Sequence, residues 1–253
     1  MNPAADNFDD VTLAIALARE AGVLLRMLRD DDALSGKSLG DAGDKQANDL
    51  LIHSLKKHRP HDAILSEESV DDFARLNAMR VWIIDPLDGT REYRERRDDW
   101  AVHVALVSAG QVIAAAVAMP SRGEVFATAK RDVSYDTNNA AADTTPKVIV
   151  VSRSRPPAFA DRVATALNAR ALPVGSAGAK AMMVVRGDAL AYVHDGGMNE
   201  WDAAAPVGVA LAHGLSVCDL RGNDITFNHR DVVLRDGLIV CRADLRETIL
   251  KAL

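Results

Sequence analysis

The sequence predicts a mixed α/β protein in two halves. Apolar residues fall at helical spacing near the N-terminus, short apolar runs joined by tight turns fill the middle, and strand-like and helix-like segments alternate after residue 146. With 253 residues the chain can bury a substantial core, as one large domain or two modest ones.

The elements follow in order. "DDVTLAIALAREAGVLLRMLRDD" places Val11, Ile15, Leu17, Leu24, Leu25 and Leu28 at helical spacing, with Asp9 or Asp10 as N-cap. A second helix is expected after Asp44, because Ala47, Leu50, Leu51 and Leu55 share a face and Lys56 and Lys57 sit near its end. "DAILSEES" is a short strand running into acids. The strand Val81–Ile84 is expected to end at Asp85, since Pro86 has no N–H for a ladder. "WAVHVALV", "QVIAAAVAMP" and "EVFATAK", turned at Ala109-Gly110 and at "SRG", form an antiparallel meander. "DVSYDTNNAAADTTP" then loses all apolar periodicity, which sets the expected domains at 1–135 and 146–253. Beyond it, "KVIVVSRS", "PPAFADRVATALNAR", "ALPVG", "AGAKAMMVVRG", "ALAYVHDG", "EWDAAAPVGVALAHG", "LSVCDL", "GLIVCRA" and "DLRETILKAL" alternate as strands and helices.

Composition limits the function. Forty-eight per cent hydrophobic and 26% charged residues suit a globular protein, and a net charge of −6 argues against a protein that coats nucleic acid polymers or acidic membranes. The first residues carry acids where a secretory leader carries bases, and no apolar run has the length of a bilayer span, so a cytoplasmic protein is expected. Cys218 and Cys241 form no CxxC and are expected to be two reduced core thiols.

The chemistry is carried by carboxylates at element ends. "WIIDPLDGTREY" turns through Asp85, Leu87, Asp88 and Gly89, bringing the two aspartates together and leaving the amides of Gly89 and Thr90 available to an anion. An isolated Asp-Gly is most simply a turn. Here "SEES" ends another strand in Glu67 and Glu68, and "NEWD" opens a helix with Glu200 and Asp202. Such acids repel unless cations lie among them, and oxygen ligands without His or Cys select a hard ion such as Mg²⁺. Other motifs carry less. "GSAGAK" has neither Walker nor GxGxxG spacing, Ser176 lacks GxSxG, His53, His58 and His61 suit a solvated helix end, and Met182 and Met183 suit a helix core.

Together, "WIIDPLDGTREY", "LSEES", "GSAGAKAMM" and "EWDAAAP" resemble the lithium-sensitive, magnesium-dependent phosphatase superfamily of inositol monophosphatase and fructose-1,6-bisphosphatase. The leucine between the aspartates and the "NEWD" tetrad most resemble the CysQ-type 3′(2′),5′-bisphosphate nucleotidases. The resemblance covers nearly the whole chain and implies a layered αβαβα sandwich binding two or three Mg²⁺ ions. It implies one metal on Glu67, Asp85 and the Leu87 carbonyl, a second among Asp85, Asp88 and Asp202, and a weaker third near Glu67. Thr90 would orient the attacking water, with Asp44 beside it as base or relay, although Asp41 stands where the family usually has threonine. Gly89, Thr90, Gly175, Ser176, Ala177 and Asp202 would contact a small phosphate ester, and a homodimer is a possible assembly. The expected reaction removes the 3′-phosphate of 3′-phosphoadenosine 5′-phosphate, and of its sulfonated form, in sulfur metabolism. Inositol 1-phosphate or fructose 1,6-bisphosphate are the alternative substrates, and a non-catalytic phosphate sensor is the alternative class. For the second phosphate, Arg91, Arg94, Arg96, Arg97, Arg153 and Arg155 are candidate partners.

Overall fold

The computed structural model describes residues 8–31, 33–129 and 147–253, and the segment expected to separate two domains lies outside them. Helices α1 (Asp10–Asp30) and α2 (Gly36–His58) open the chain, and the Asp9 carboxylate caps α1 by accepting from Thr12 N at 2.7 Å. They cover one face of a sheet built from β1 (Ala63–Ser66), β2 (Arg80–Asp88), β3 (Ala101–Ser108), β4 (Gln111–Met119) and β5 (Glu124–Ala127), paired in that order. β1 runs parallel to β2, and the rest is the expected antiparallel meander.

Both faces of that sheet are buried, and side-chain alternation divides them. Trp82, Ile84, Val102, Val104 and Leu106 face α1 and α2, whereas Val81, Ile83, Ala101, Ala105 and Val107 face an inner helical layer. The inner layer consists of α5 (Ala177–Arg186) and α6 (Glu200–Ala212). Its other side packs on a second sheet in the order β10-β12-β8-β6-β7: β6 (Val148–Ser152), β7 (Arg170–Val174), β8 (Ala191–His194), β10 (Ser216–Cys218) and β12 (Leu238–Cys241). Helices α4 (Ala160–Ala166) and α7 (Arg246–Ala252) close the far side, where both free cysteines are buried. The layers are thus αβαβα. A short helix, α3 (Thr90–Arg94), and a small ribbon of β9 (Met198–Asn199) with β11 (Val233–Leu234) complete the described elements.

Two local expectations are corrected. α2 begins at Gly36, so Asp44 lies inside the helix and does not precede it. Gly40 and Gly43 resemble helix breakers, but a Cβ at Gly40 would stand 2.6 Å from Arg94 Cδ and one at Gly43 3.1 Å from Leu25, Leu87 and Tyr93. Close packing against α1, α3 and Leu87 requires them. β2 likewise continues past Pro86 to Asp88, because its register shifts between Asp85, opposite His103, and Asp88, opposite Ala101. The missing proline donor falls in that bulge and leaves the ladder on either side intact.

The inner layer sits close to the first sheet because its contact residues are small. Ala203, Ala204 and Ala205 are fully buried, and a Cβ at Gly208 would lie 2.4 Å from Val112 Cγ1. Gly208→Ala should therefore destabilise the fold by about 1–3 kcal/mol through overpacking. Adding Val112→Ala should recover part of the loss. Denaturant midpoints of the single and double variants test this, and an unshifted Gly208→Ala midpoint would contradict the close contact.

Candidate active site

The carboxylates gather where several element ends meet. β1 and β2 are parallel, so Glu67, just past the end of β1, and Asp85, near the end of β2, come to the same edge of the first sheet. The first turn of α6 supplies Asp202, which accepts from Asn199 N at 2.7 Å and so caps its own helix. One oxygen each from Asp85, Asp88 and Asp202 lies within 4.8 Å of the others.

Asp88 is held differently from its neighbours. Its Oδ2 accepts from the Ser176 hydroxyl and from Gly178 N at 2.7 Å, at the N-terminus of α5, and lies 3.2 Å from His103 Nε2. Burial works to raise this carboxyl, but His103, Lys180 and the Ser176 hydroxyl outweigh it and hold it down at about 2. The others have no such support. Asp85 is raised well above the carboxylate range by burial and by the charges of Glu67, Asp88 and Asp202. Asp202 is pushed up to about 6 by burial and by Asp88. Glu67 keeps an open side toward solvent, yet the protein crowding its carboxyl, with Asp202, Glu68 and Asp88 nearby, raises it to about 7.

Asp85 Oδ1 accepts from Leu87 N at 3.0 Å, while Oδ2 is buried without any hydrogen-bond partner. An orphaned carboxylate oxygen inside an all-oxygen cluster fits a hard cation, and no His or Cys takes part in the grouping.

Beside the cluster, Thr90 Oγ1 lies 3.1 Å from both Asp44 Oδ1 and the Leu87 carbonyl oxygen. Gly89, at φ +90°, lets β2 turn into α3 and place that hydroxyl. Asp44 is raised to about 6, first by burial and then by Glu68.

The Gly175–Ser176 loop is fixed from below. Gly175 N donates to Asp99 Oδ2 at 2.8 Å and Ser176 N to the Asp99 carbonyl at 3.2 Å, so neither amide is free for a ligand, and Ser176 is 1% exposed. A Cβ at Gly175 would stand 2.2 Å from Glu92, whose carboxylate is held by Arg153 at 2.7 Å. Ala177 follows as the first residue of α5, and its amide has no role in the Asp99 contacts.

Several residues here escaped the sequence reading. Lys180 is 2% exposed, and its ammonium donates to the carbonyls of Val174, Gly175 and Ser176 at 3.4, 2.5 and 2.9 Å. Burial lowers it to about 8. His103 is wholly buried with Nδ1 3.0 Å from the Trp201 carbonyl. The one available signal was a lysine and a histidine set in otherwise apolar elements. Conversely, Glu200 turns away from the cluster and accepts from Asn228 N and His229 N at 2.7 and 2.8 Å. Asp41 is exposed and pairs with Lys37 at 2.5 Å, as expected for a solvated acid.

A "3′-phosphoadenosine 5′-phosphate phosphatase" of Mycobacterium leprae is 46% identical over 256 residues, spanning 95% of this chain and 92% of the relative. A "3′(2′),5′-bisphosphate nucleotidase CysQ" of Escherichia coli is 29% identical, spanning 88% of this chain and 96% of the relative. Among solved structures, CysQ from Bacteroides thetaiotaomicron shares the fold with a TM-score of 0.74 at 23% identity, covering 92% of this chain and 97% of that one. Inositol monophosphatase II from Staphylococcus aureus does so with a TM-score of 0.75 at 19% identity, covering 94% and 92%. Residues 8–253 match the family model described as the inositol monophosphatase family, and the chain belongs to that family.

Proposed function

We propose that this chain is a magnesium-dependent phosphomonoesterase that removes the 3′-phosphate of 3′-phosphoadenosine 5′-phosphate, giving AMP, and accepts the sulfonated form. The observation that carries the chemistry is the cluster of Asp85, Asp88 and Asp202 with an orphaned oxygen, next to a hydroxyl shared with a buried acid. The names borne by the mycobacterial relatives support the substrate.

Glu67, Asp85, Asp88, Asp202 and the Leu87 carbonyl would hold the ions. Mg²⁺ would neutralise the ester's charge, lower the pKa of a bound water and stabilise the departing alkoxide. The chain supplies the rest. Thr90 orients the attacking water through its oxygen while its own hydrogen is directed to Asp44 or the Leu87 carbonyl. Asp44, at about 6, is ionised at neutral pH yet basic enough to take up a proton.

The second phosphate needs a cation at the rim, and the structure narrows the six candidate arginines. Arg91 pairs with Glu95 at 3.0 Å, Arg97 with Asp99 at 2.7 Å, and Arg153 with Glu92 at 2.7 Å and Glu95 at 2.8 Å. Arg96 donates to the Arg29 carbonyl at 2.8 Å, and the Arg94 side chain lies along Gly40. Arg155 is exposed and has no side-chain ion pair among the described residues. Its amide donates to Ser152 Oγ, and Ser152 lies beside Val174, which leads into Gly175. We therefore assign the second phosphate to Arg155.

Asp85→Asn should lose about 10³-fold in turnover, the several kcal/mol expected of a metal-held transition state, while keeping the fold. Near-normal phosphate release by a folded Asp85→Asn protein would reject the metal reading. Because Glu67 and Asp202 titrate near 7 and 6 without metal, Mg²⁺ must displace protons to bind. Affinity should therefore fall more than about tenfold from pH 8 to pH 5.5, read by calorimetric titration, and a pH-independent affinity would contradict the raised values. Arg155→Ala should raise KM for the adenosine bisphosphate by about tenfold or more, the scale of a charged hydrogen bond, and leave KM for inositol 1-phosphate unchanged. An equal change for both esters would remove Arg155 from the substrate site.

A further inference from the structure

His103 occupies the inner face of β3 directly across from Asp85, where its neighbours Ala101, Ala105 and Val107 are small and apolar. Burying a polar ring there is costly unless both of its nitrogens find partners. They reach two different parts of the molecule. Nε2 lies 3.2 Å from Asp88 Oδ2 at the end of β2, and Nδ1 lies 3.0 Å from the carbonyl oxygen of Trp201, in the first turn of α6. A carbonyl oxygen only accepts, so Nδ1 carries a hydrogen and donates it, whereas Nε2 makes no hydrogen bond and meets Asp88 at ion-pair distance. Space for the ring depends on Gly178, where a Cβ would stand 2.2 Å from Nε2. The ring therefore spans from the strand carrying Asp85 and Asp88 to the helix turn carrying Asp202.

We propose that His103 is a positioning residue that fixes the separation of Asp88 and Asp202, and with it the geometry of the cation site. The inference rests on the metal-dependent reading above. His103 touches neither the cation nor the substrate. Ser176 and Gly178 donate to Asp88 Oδ2 and the His103 ring closes off its remaining side, which leaves Oδ1 as the oxygen free to ligate. Through Trp201 it anchors the start of α6, one residue before Asp202. Partners of this outer kind typically govern about 10–100-fold of metal affinity.

The test is calorimetric titration of the full chain with Mg²⁺, alongside circular dichroism and steady-state kinetics at saturating Mg²⁺. His103→Phe keeps the ring's bulk and loses both nitrogens. It should fold, bind Mg²⁺ about 10–100-fold more weakly and change substrate KM little once Mg²⁺ is saturating. His103→Gln, whose amide can still donate to one acceptor, should fall between wild type and His103→Phe. Wild-type affinity in His103→Phe would overturn the proposal, as would equal losses in Phe and Gln, which would point to packing alone. Should His103→Phe fail to fold, Gly178→Ala displaces the ring without removing it, and undiminished affinity there would be equally fatal. A wild-type chain that binds no Mg²⁺ defeats the metal reading and this inference with it, whereas intact wild-type binding with unaffected variants defeats this inference alone.

Discussion

Repulsion among buried carboxylates is the constraint around which this structure is arranged. Asp85, Asp88 and Asp202 lie within 4.8 Å, and Glu67 raises the carboxyl of Asp85 further. Left ionised together they would destabilise the packing of the first sheet against α6. The chain resolves only one of them internally, surrounding Asp88 with a hydroxyl, a helix amide, an imidazole and a nearby ammonium. The remaining acids are left to protons or cations. The folded values of Glu67 and Asp202 lie above ordinary carboxylate values, so their contribution to stability without metal is present at low pH and lost as pH rises through about 6 to 7. A divalent ion would supply above that range the charge that protons supply below it.

Holding such a cluster demands close approach of elements distant in sequence. Asp88 and Asp202 come from different halves, and they meet because α5 and α6 lie between the sheets on alanine and glycine surfaces. The same logic sets the pair proposed to orient the water. Asp44 reaches Thr90 only because Gly40 and Gly43 let α2 settle onto α3 and Leu87. These glycines act through the volume they leave empty, and the catalytic distances follow from packing.

This explains what was legible in the sequence. The cap at Asp9, the meander and the alternation of the second half are local signals, and each appears in the structure. The acids at three element ends were visible because charge at the end of a buried strand is unusual in itself. The start of α2 was hidden because a one-dimensional pattern cannot distinguish a glycine that breaks a helix from one that admits a neighbour. Pro86 misled for a related reason, since the bulge that accommodates it is a property of two strands together. His103 and Lys180 stand out in the sequence only as polar residues in apolar elements, because their partners lie 98 residues away in one case and are main-chain carbonyls in the other.

The two levels of function have different physical sources. The reaction class resides in a compact motif whose residues face one another, so a short stretch such as "WIIDPLDGTREY" carries most of it. Substrate choice resides in which rim charges remain uncommitted after folding, and composition cannot reveal that. Arg153 and Arg155 are two residues apart and chemically identical, yet Arg153 serves as a strut against Glu92 behind Gly175 while Arg155 has no ion pair among the described residues, which is why it is the one proposed to meet an anion. Glu92 and Glu95 make the difference by neutralising one arginine of the pair. Relatives that keep the acidic cluster but redistribute these rim pairs would keep the chemistry and change the ester it acts on.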